Sequence, residues 1–396
     1  MGSYISDGGY AGLECSALFH NIWHTGLVWE SSKEEENIMD PIRFGIVGGG
    51  WRTLFYLRVA HELPARFQVE GMVVRDVAKG QALEAKWGVK TYRTLDELLH
   101  ASSPRFMVVS VPWATSPQVL RMLAEHALPA LAETPPAPDL AGLVALYELA
   151  QGGARIQVAE QYHMQPLHAA RLAIVQSGRL GSVTQAQISA AHGYHGVSLI
   201  RKMLGITYEN VTIRARKFVS PIVNSPDRSG PPEWEQTVQS QQVIAQLDFG
   251  DKLGIYDFTG DQYFSWIRSL RLLVRGERGE INNTTVRYLA DFLTPITLEL
   301  RRQNAGEDGN LEGYYHKGIL AGDQWIYTNP FVPARLTDDE IAVATCLVRM
   351  DHYVAGGPDF YSLAEASQDH YISLLIEQAL TSSEVVSTTT QPWATS

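Results

Sequence analysis

The chain has 396 residues, of which 45% are apolar and 19% are charged, and its formal net charge is −11 with histidine neutral. These values are typical of a folded globular protein, and the length predicts two domains. The acidic balance argues against nucleic acid or an anionic membrane as partner, because both bind basic surfaces. No apolar run reaches the ~20 residues of a membrane-spanning helix. Two cysteines are too few for a disulfide scaffold, so we expect a reducing, cytoplasmic location.

The first 38 residues differ in composition from the rest of the chain. They begin with a Gly/Ser/Tyr-rich segment and contain the charged run Lys33–Glu36, but no basic region followed by a continuous apolar stretch, so they do not predict a secretory signal. A start at Met39 fits the strand that comes directly after it. We interpret residues 1–38 as a tag, leader or mobile arm. The alternative is a segment that docks on a neighbouring subunit through Leu18, Phe19, Ile22, Trp23 and Trp29.

A glycine-rich turn comes after the first apolar run. Phe44–Val47 is predicted to be a buried parallel strand, Gly48–Gly50 comes at once after it, and Leu54–Leu63 has helical spacing. This order of strand, glycine turn and helix is the context that a dinucleotide fingerprint needs. The first glycine can make the tight turn, and the third can let the backbone approach a pyrophosphate at the helix N-terminus. Thr53 stands where a further glycine is usual, which weakens the match.

The segments up to residue 160 alternate between strands and helices. Strands are predicted at 69–74, 106–111, 130–132 and 156–159, and helices at 77–87, 94–99, 116–127 and 140–151. This alternation predicts a doubly wound parallel sheet with its ligand crevice beyond the carboxyl ends of the strands. Later strands at 182–190, 237–249, 252–259, 271–275 and 280–281 predict a second, mainly antiparallel sheet.

The end of the second strand normally carries an acid that binds the adenosine ribose. Here that position is Val74, followed by Arg75 and Asp76. The arginine can stack on adenine or meet a 2′-phosphate. The aspartate can be the ribose acid displaced by two residues, or the two side chains can form a solvated pair. We expect NAD as cofactor, and NADP is not excluded.

Several short motifs follow one another along the chain in a characteristic order. The series comprises the turn Gly48–Thr53, the strand ending Ser110-Val111-Pro112, Glu133-Thr134-Pro135, Glu160-x-Tyr162-x-x-x-Pro166, Ser177–Val183, and Gly193-Tyr194-His195 ten residues before Gly205. This order resembles the Gfo/Idh/MocA family, named for glucose–fructose oxidoreductase and inositol dehydrogenase. The resemblance covers residues 41–386.

The resemblance implies an α/β chain of two domains. It implies a Rossmann domain at 39–160 and an α/β domain at 161–386, whose large, mainly antiparallel sheet often mediates homo-oligomerisation. The last helix would return to the Rossmann domain, and 387–396 would be a tail. The family's substrates are mostly sugars, polyols and their derivatives.

The chain departs from the family at its chemical motifs. Family dehydrogenases commonly carry Glu-Lys-Pro where this chain has Glu133-Thr134-Pro135. In the family, the lysine of this motif assists removal of the hydroxyl proton while hydride passes to the nicotinamide. A threonine hydroxyl is not a base near neutral pH. In the family's Asp-x-Gly-x-His-x-x-Asp element, Ala191 and Ser198 replace both carboxylates, while Gly193 and His195 match. His195 is the matched residue whose ordinary pKa suits acid–base work.

These motifs define the candidate site residues. The candidate catalytic residues are His195, Tyr162, His163, Tyr194 and His192. The candidate cofactor contacts are Gly48, Gly50, Trp51, Arg52, Arg75, Asp76, Val111, Pro112, Trp113, Glu133, Thr134, Pro135 and Glu160.

We expect His192 and His195 on a loop, His168 at a helix surface, and Lys202 and Lys317 as substitutes for the missing lysine. Trp51, Trp113, Trp234, Trp266 and Trp325 can stack on a sugar ring, and Tyr314–Lys317 can add polar contacts. No metal is assigned, because the only H-x-x-x-H spacing lies at His20 and His24.

Three hypotheses account for these motifs. The first is a nicotinamide-dependent enzyme that transfers hydride to or from a ring hydroxyl of a sugar or glycoside. The second is a redox-neutral glycoside hydrolase that works by transient oxidation and elimination, since relatives of that kind also lack the lysine. The third is a non-catalytic protein that binds nucleotide or sugar.

Overall fold

The computed structural model describes residues 40–309 and 311–394. The interpretation of residues 1–38 therefore lies outside the described residues. Residues from Pro41 onwards form one compact unit that contains two sheets.

The first sheet has six strands in the order β3-β2-β1-β4-β5-β6, and every neighbouring pair is parallel. Its elements are β1 Ile42–Val47, α1 Thr53–Glu62, β2 Phe67–Val73, α2 Val77–Trp87, β3 Thr91–Tyr92, α3 Leu95–Ala101, β4 Phe106–Val109, α4 Ser116–Glu125, β5 Ala130–Ala132, α5 Leu140–Gln151 and β6 Ile156–Val158. The predicted doubly wound parallel sheet is confirmed.

Local signals explain where these helices begin and end. The Asp76 side chain accepts a hydrogen bond from the Lys79 N–H and so caps α2, which ends at Gly88 in the left-handed conformation. Thr94 and Glu97 form a reciprocal capping box at the start of α3. Because each signal depends on neighbouring residues alone, the sequence predicts these helices well.

Alternate side chains of the strands pack into two separate cores. Phe44 and Ile46 belong to the core that contains helices α1 and α8 (Asp338–Val354), and Val47 belongs to the core on the other face, with α3, α4 and α5. Residues 338–354 fall inside the predicted second domain, yet α8 covers the first sheet.

The second sheet has eleven strands in the order β16-β15-β14-β13-β12-β11-β7-β10-β9-β8-β17. Its elements are α6 Pro166–Gln176, β7 Val183–Ser189, α7 Gly193–Leu204, β8 Thr212–Val223, β9 Thr237–Asp248, β10 Leu253–Thr259, β11 Arg271–Gly276, β12 Gly279–Asn282, β13 Thr285–Leu289, β14 Pro295–Ala305, β15 Tyr315–Ala321, β16 Gln324–Thr328, α9 Leu363–Ser382 and β17 Val386–Ser387. Only the β7–β10 pair is parallel. The predicted mainly antiparallel sheet is confirmed.

The prediction of a loop at His192–His195 is wrong. The helix α7 begins at Gly193, His192 is its N-cap residue, and His195 lies in its first turn. Most of α7 is buried, so packing stabilises a Gly-Tyr-His-Gly sequence that has little intrinsic preference for helix. Within residues 40–309 and 311–394, no helix is both long enough and apolar enough to cross a membrane.

Candidate active site

A cavity of about 1200 Å³ lies at the carboxyl ends of the first sheet's strands and extends to α7. It exceeds the roughly 300–1,000 Å³ of most small-molecule sites, which leaves room for a dinucleotide and a second ligand. The candidate residues that line it are Gly48, Gly50, Trp51, Arg52, Arg75, Asp76, Val111, Pro112, Trp113, Glu133, Thr134, Tyr162, His192, Tyr194 and His195. His163, Pro135 and Glu160 are not part of its lining.

The glycine turn has the geometry that a dinucleotide requires. Gly48 has a φ of +119°, and a Cβ at this position would lie 2.0 Å from the carbonyl oxygen of Ser110, so only glycine fits. The helix α1, which begins just after this turn, has no acidic residue in its first turn and no side-chain cap. Its positive end is therefore available to an anion such as a pyrophosphate.

An ion pair lies beside this turn. The Nε of Arg52 donates to Oε1 of Glu133 at 2.9 Å, and the Tyr56 hydroxyl donates to the same oxygen at 2.6 Å. Burial opposes the charge on Arg52, but Glu133 outweighs it and raises the pKa of the guanidinium further. The Nη2 of Arg52 is buried and has no partner in the described chain. An orphaned donor at the cavity wall fits a bound anionic or hydroxyl-bearing ligand.

The central feature of the site is a buried histidine–carboxylate dyad. The Nδ1 of His195 lies 2.6 Å from Oε2 of Glu160, and their side chains are 6% and 2% exposed. The other carboxylate oxygen accepts the backbone N–H of Tyr162 at 3.2 Å. The His195 ring lines the cavity, and its Nε2 has no hydrogen-bond partner among the described residues. The carboxylate thus lies behind the imidazole, and Nε2 is left for a ligand.

Burial sets the protonation of this dyad. It raises the pKa of Glu160 to about 8 and lowers the pKa of His195 to about 3. Near pH 7 the dyad therefore carries one titratable proton, in addition to the ring N–H that a neutral imidazole always keeps, and has no net charge. When that proton leaves, the Glu160 carboxylate accepts the Nδ1–H of His195, and Nε2 has a free electron pair. The dyad can then act as a general base.

A second imidazole is held by two tyrosines. The Tyr263 hydroxyl oxygen accepts two hydrogen bonds, one from the backbone N–H of His192 at 3.0 Å and one from the Tyr162 hydroxyl at 3.3 Å. Its own proton is then directed to Nδ1 of His192, 2.6 Å away. Burial, together with nearby His195 and Arg228, lowers the pKa of His192. The neutral ring therefore has its proton on Nε2, so this residue is a hydrogen-bond donor in the cavity wall.

The tyrosine of the Gly193-Tyr194-His195 segment links the two halves of the cavity. The Tyr194 hydroxyl donates to the carbonyl oxygen of Thr134 at 3.2 Å, and its ring centroid is 4.4 Å from that of His195. Burial raises the pKa of this phenol, so it stays protonated. Thr134, which replaces the family lysine, thus contributes a backbone acceptor that positions Tyr194.

The N-terminus of α7 is fixed against the second sheet. The Tyr256 hydroxyl on β10 accepts the backbone N–H of Gly193 at 2.8 Å. A Cβ on Gly196 would lie 2.5 Å from the Tyr256 ring, so glycine permits this close approach. This contact positions His195, one residue before Gly196, at the cavity.

Several predicted residues lie elsewhere. The His163 ring is buried against Tyr361 at 5.3 Å. His168 is buried, not at a helix surface, and its Nδ1 lies 3.3 Å from Nη1 of Arg171. Lys202 and Lys317 pair with Glu365 and Glu312, each at 2.7 Å. Neither lysine lines the cavity, and Trp234, Trp266, Trp325 and Tyr314–Lys317 do not line it either.

Other residues of the site were not predicted. Tyr263 lies 101 positions from Tyr162 in the sequence, and no local pattern indicates their contact. Arg228 reaches from the segment between β8 and β9 and lies 4.0 Å from the centre of the Trp51 ring. Asp339, at the start of α8, lines the cavity and accepts the side-chain N–H of Gln165 at 2.8 Å. Among the residues that the structure describes, no group of three or more His, Cys, Asp or Glu side chains is arranged to hold a metal ion.

Comparison with known proteins identifies the first domain. Residues 42–161 match the family model GFO_IDH_MocA, described as an oxidoreductase family with an NAD-binding Rossmann fold. The predicted resemblance is thereby confirmed over this domain. No protein of curated function matches the chain by sequence.

Similar solved structures extend the likeness to 87–89% of the chain. An oxidoreductase from Agrobacterium radiobacter, in complex with NAD+, L-tartaric acid and magnesium, is 15% identical with a TM-score of 0.61, over 87% of this chain and 98% of that one. A putative myo-inositol dehydrogenase from Sinorhizobium meliloti is 16% identical with a TM-score of 0.59, over 87% of this chain and 99% of that one. Levoglucosan dehydrogenase in complex with NADH and L-sorbose is 13% identical with a TM-score of 0.63, over 89% of this chain and 100% of that one. At these identities the likeness shows a shared fold.

Proposed function

The Rossmann domain at residues 42–161 is that of the Gfo/Idh/MocA oxidoreductases, and we propose that the chain is a nicotinamide-dependent enzyme that transfers hydride to or from a ring hydroxyl of a sugar or glycoside. The observation that carries this proposal is the His195–Glu160 dyad in the wall of a cavity that begins at the glycine turn. The sugar bound in the levoglucosan dehydrogenase structure supports the substrate class.

The dyad supplies the proton chemistry of this reaction. A nicotinamide, held through the glycine turn and Arg52, would accept the hydride. In the oxidation direction, the substrate hydroxyl donates its proton to Nε2 of His195. The imidazole passes its Nδ1 proton to Oε2 of Glu160, so the dyad takes up one proton and becomes neutral. Reduction reverses both transfers.

A second candidate function is redox-neutral hydrolysis of a glycoside. The observation that favours it is His192, a second imidazole in the same cavity wall with its own hydrogen-bond chain through Tyr263 and Tyr162. The hydride of a ring carbon would pass to a nicotinamide while the hydroxyl proton of that carbon leaves. The adjacent C–H proton is then removed, the aglycone departs with a proton, water adds, and the hydride and the hydroxyl proton return. This sequence needs two acid–base groups, whereas net oxidation needs one.

One experiment separates the hypotheses. The purified chain is incubated with catalytic NAD+ or NADP+ and a panel of sugars and aryl glycosides, while reduced-nicotinamide absorbance and aglycone release are recorded together. Stoichiometric reduced cofactor without aglycone supports net oxidation. Aglycone release without accumulation of reduced cofactor supports hydrolysis. Nucleotide binding with no turnover on any substrate supports the non-catalytic alternative and contradicts both enzymatic functions.

The His195→Ala variant assigns the chemistry to the dyad. We expect it to lose at least about a hundredfold in kcat, within the range of general base catalysis, and to bind nucleotide as the wild type does. The control is His61→Ala, because His61 is an exposed imidazole on α1. Unchanged turnover in His195→Ala would refute the proposed role.

The proposal includes a cytoplasmic homo-oligomer formed through the second sheet. Phe218, Val219 and Val223 on β8 and Leu289 on β13 are large apolar side chains that are exposed in the single chain. Light scattering of the purified protein tests this point, and a monomer at micromolar concentration would contradict it.

A further inference from the structure

The cavity end that lies beyond β2 is basic, and the carboxylate in its wall, that of Asp76, caps a helix. We propose that this end is a phosphate subsite for the adenosine ribose, so that the chain binds NADP(H) more tightly than NAD(H). This inference rests on the proposed function, because it concerns the same nucleotide cavity.

The groups that could bind an unphosphorylated ribose are missing or occupied. Val74, at the position where a ribose acid is usual, is apolar and 4% exposed. The carboxylate of Asp76 lines the cavity, but its Oδ1 accepts the Lys79 backbone N–H at 3.0 Å as the cap of α2. The nearby Glu97 carboxylate accepts the backbone N–H groups of Arg93 and Thr94. The usual ribose position therefore has no carboxylate, and the Asp76 carboxylate, two residues further on, is already engaged as a helix cap.

Three cations from three segments meet at the same end. Arg75, Lys79 and Arg93 all line the cavity. Among the described residues, the Arg75 guanidinium and the Lys79 ammonium have no hydrogen bond or ion pair. The Lys79 side chain passes beside the glycine turn, where its Cε lies 3.4 Å from the position of a Cβ on Gly49. This places the lysine stem between the turn and the end of β2.

Arg93 fixes the geometry of this end. Its guanidinium donates to the carbonyl oxygens of Val74 and Asp76 and, at 2.6 Å, to the Thr91 hydroxyl. It thereby ties the loop after β2 to the loop after β3 and adds a fixed positive charge. A local excess of cations is notable in a chain whose net charge is −11.

This arrangement suits a phosphate group better than hydroxyl groups. A phosphate dianion accepts charge-assisted hydrogen bonds from a guanidinium and an ammonium, which are stronger than bonds between neutral groups. A ribose 2′-hydroxyl needs an acceptor for its proton, and the cations offer donors only. The difference between the two nucleotides is one phosphate, so the preference is set at this end alone.

Equilibrium binding tests the subsite without turnover. NADPH and NADH are titrated into the full chain and followed by nicotinamide fluorescence, with 2′-AMP and 5′-AMP as competitors that distinguish a 2′-phosphate from any phosphate. We expect NADPH to bind at least about tenfold more tightly, which corresponds to one charge-assisted hydrogen bond. We expect 2′-AMP to compete better than 5′-AMP. The preference should decrease at high salt, because exposed charges are screened.

Variants assign the preference to particular side chains. Arg75→Ala and Lys79→Ala should each weaken NADPH binding severalfold more than they weaken NADH binding. The control is Lys86→Ala, which removes a cation from the last turn of the same helix, where it lies beside Trp87. This control should change neither affinity.

The outcomes separate this inference from the proposed function. Equal affinity for the two nucleotides, or tighter binding of NADH, overturns the phosphate subsite and leaves the dehydrogenase intact. A preference for NADPH that survives in both variants overturns the assignment to Arg75 and Lys79. Absence of binding by either nucleotide overturns the subsite and the proposed function together.

Discussion

The pH dependence of oxidation tests the dyad directly. Burial raises the pKa of Glu160 to about 8, and the base form of the dyad requires loss of that proton. About one tenth of the dyad is in the base form at pH 7 and about nine tenths at pH 9, so kcat/KM for oxidation should rise about tenfold between these values. For reduction the sign is opposite, because the protonated dyad donates, and the rate should fall over the same range.

The assay is initial-rate kinetics at saturating nucleotide in both directions, on the substrate that the panel identifies. The Glu160→Gln variant sharpens the result, because glutamine can still accept the Nδ1–H of His195 but cannot take up a proton. We expect its oxidation rate to be about a hundredfold lower and to lack the rise near pH 8. A wild-type profile that is flat from pH 7 to 9, or a rise near pH 8 that persists in Glu160→Gln, would refute the reasoning.

Three further predictions concern stability and positioning. In the folded chain Glu160 keeps its proton up to about pH 8, whereas the unfolded chain loses the Glu160 proton near 4.5 and the His195 proton near 6.5. The free energy of unfolding should therefore fall by about 1–2 kcal/mol from pH 6.5 to 8.5. Urea denaturation at these two pH values should show this fall in the wild type and not in Glu160→Gln. Gly196→Ala should lower the free energy of unfolding by about 1–3 kcal/mol, because its Cβ would overlap the buried Tyr256 ring; unchanged stability would contradict that packing. Tyr263→Phe should reduce turnover about tenfold with nucleotide affinity unchanged, whereas the control Tyr288→Phe on β13 should retain full activity; equal effects of the two variants would exclude a specific role for the Tyr263 hydroxyl.

The first domain could be predicted from sequence because its signals are local. The strand and helix bounds derive from apolar runs and from caps such as Asp76 and Gly88, each within a few residues of the element that it ends. The parallel order then places the glycine turn, Trp113 and Glu133 along one edge of the sheet. These residues line the cavity, and their role as cofactor contacts stays a prediction.

The chemistry of the site could not be predicted in the same way, because it depends on contacts between distant segments. Glu160 and His195 are 35 positions apart, and the sequence alone predicts the glutamate as a cofactor contact. Its position behind the imidazole depends on how the segment after β6 packs against α7. The helical state of His195 depends on Tyr256, a contact across 63 positions to the backbone of Gly193.

The replacement of the family's motif residues has a consistent physical explanation in this arrangement. The hydroxyls of Thr134 and Ser198 are not bases near neutral pH, and the Ser198 hydroxyl lies 2.8 Å from that of Tyr361, outside the cavity lining. Here the carboxylate lies behind the histidine and is buried, so it holds its proton more tightly than an exposed glutamate does. The same burial that makes Glu160 a better proton acceptor reduces the fraction of base form at neutral pH. We therefore expect the protonated dyad, which donates its proton in reduction, to predominate near pH 7, and oxidation to be fastest above pH 8.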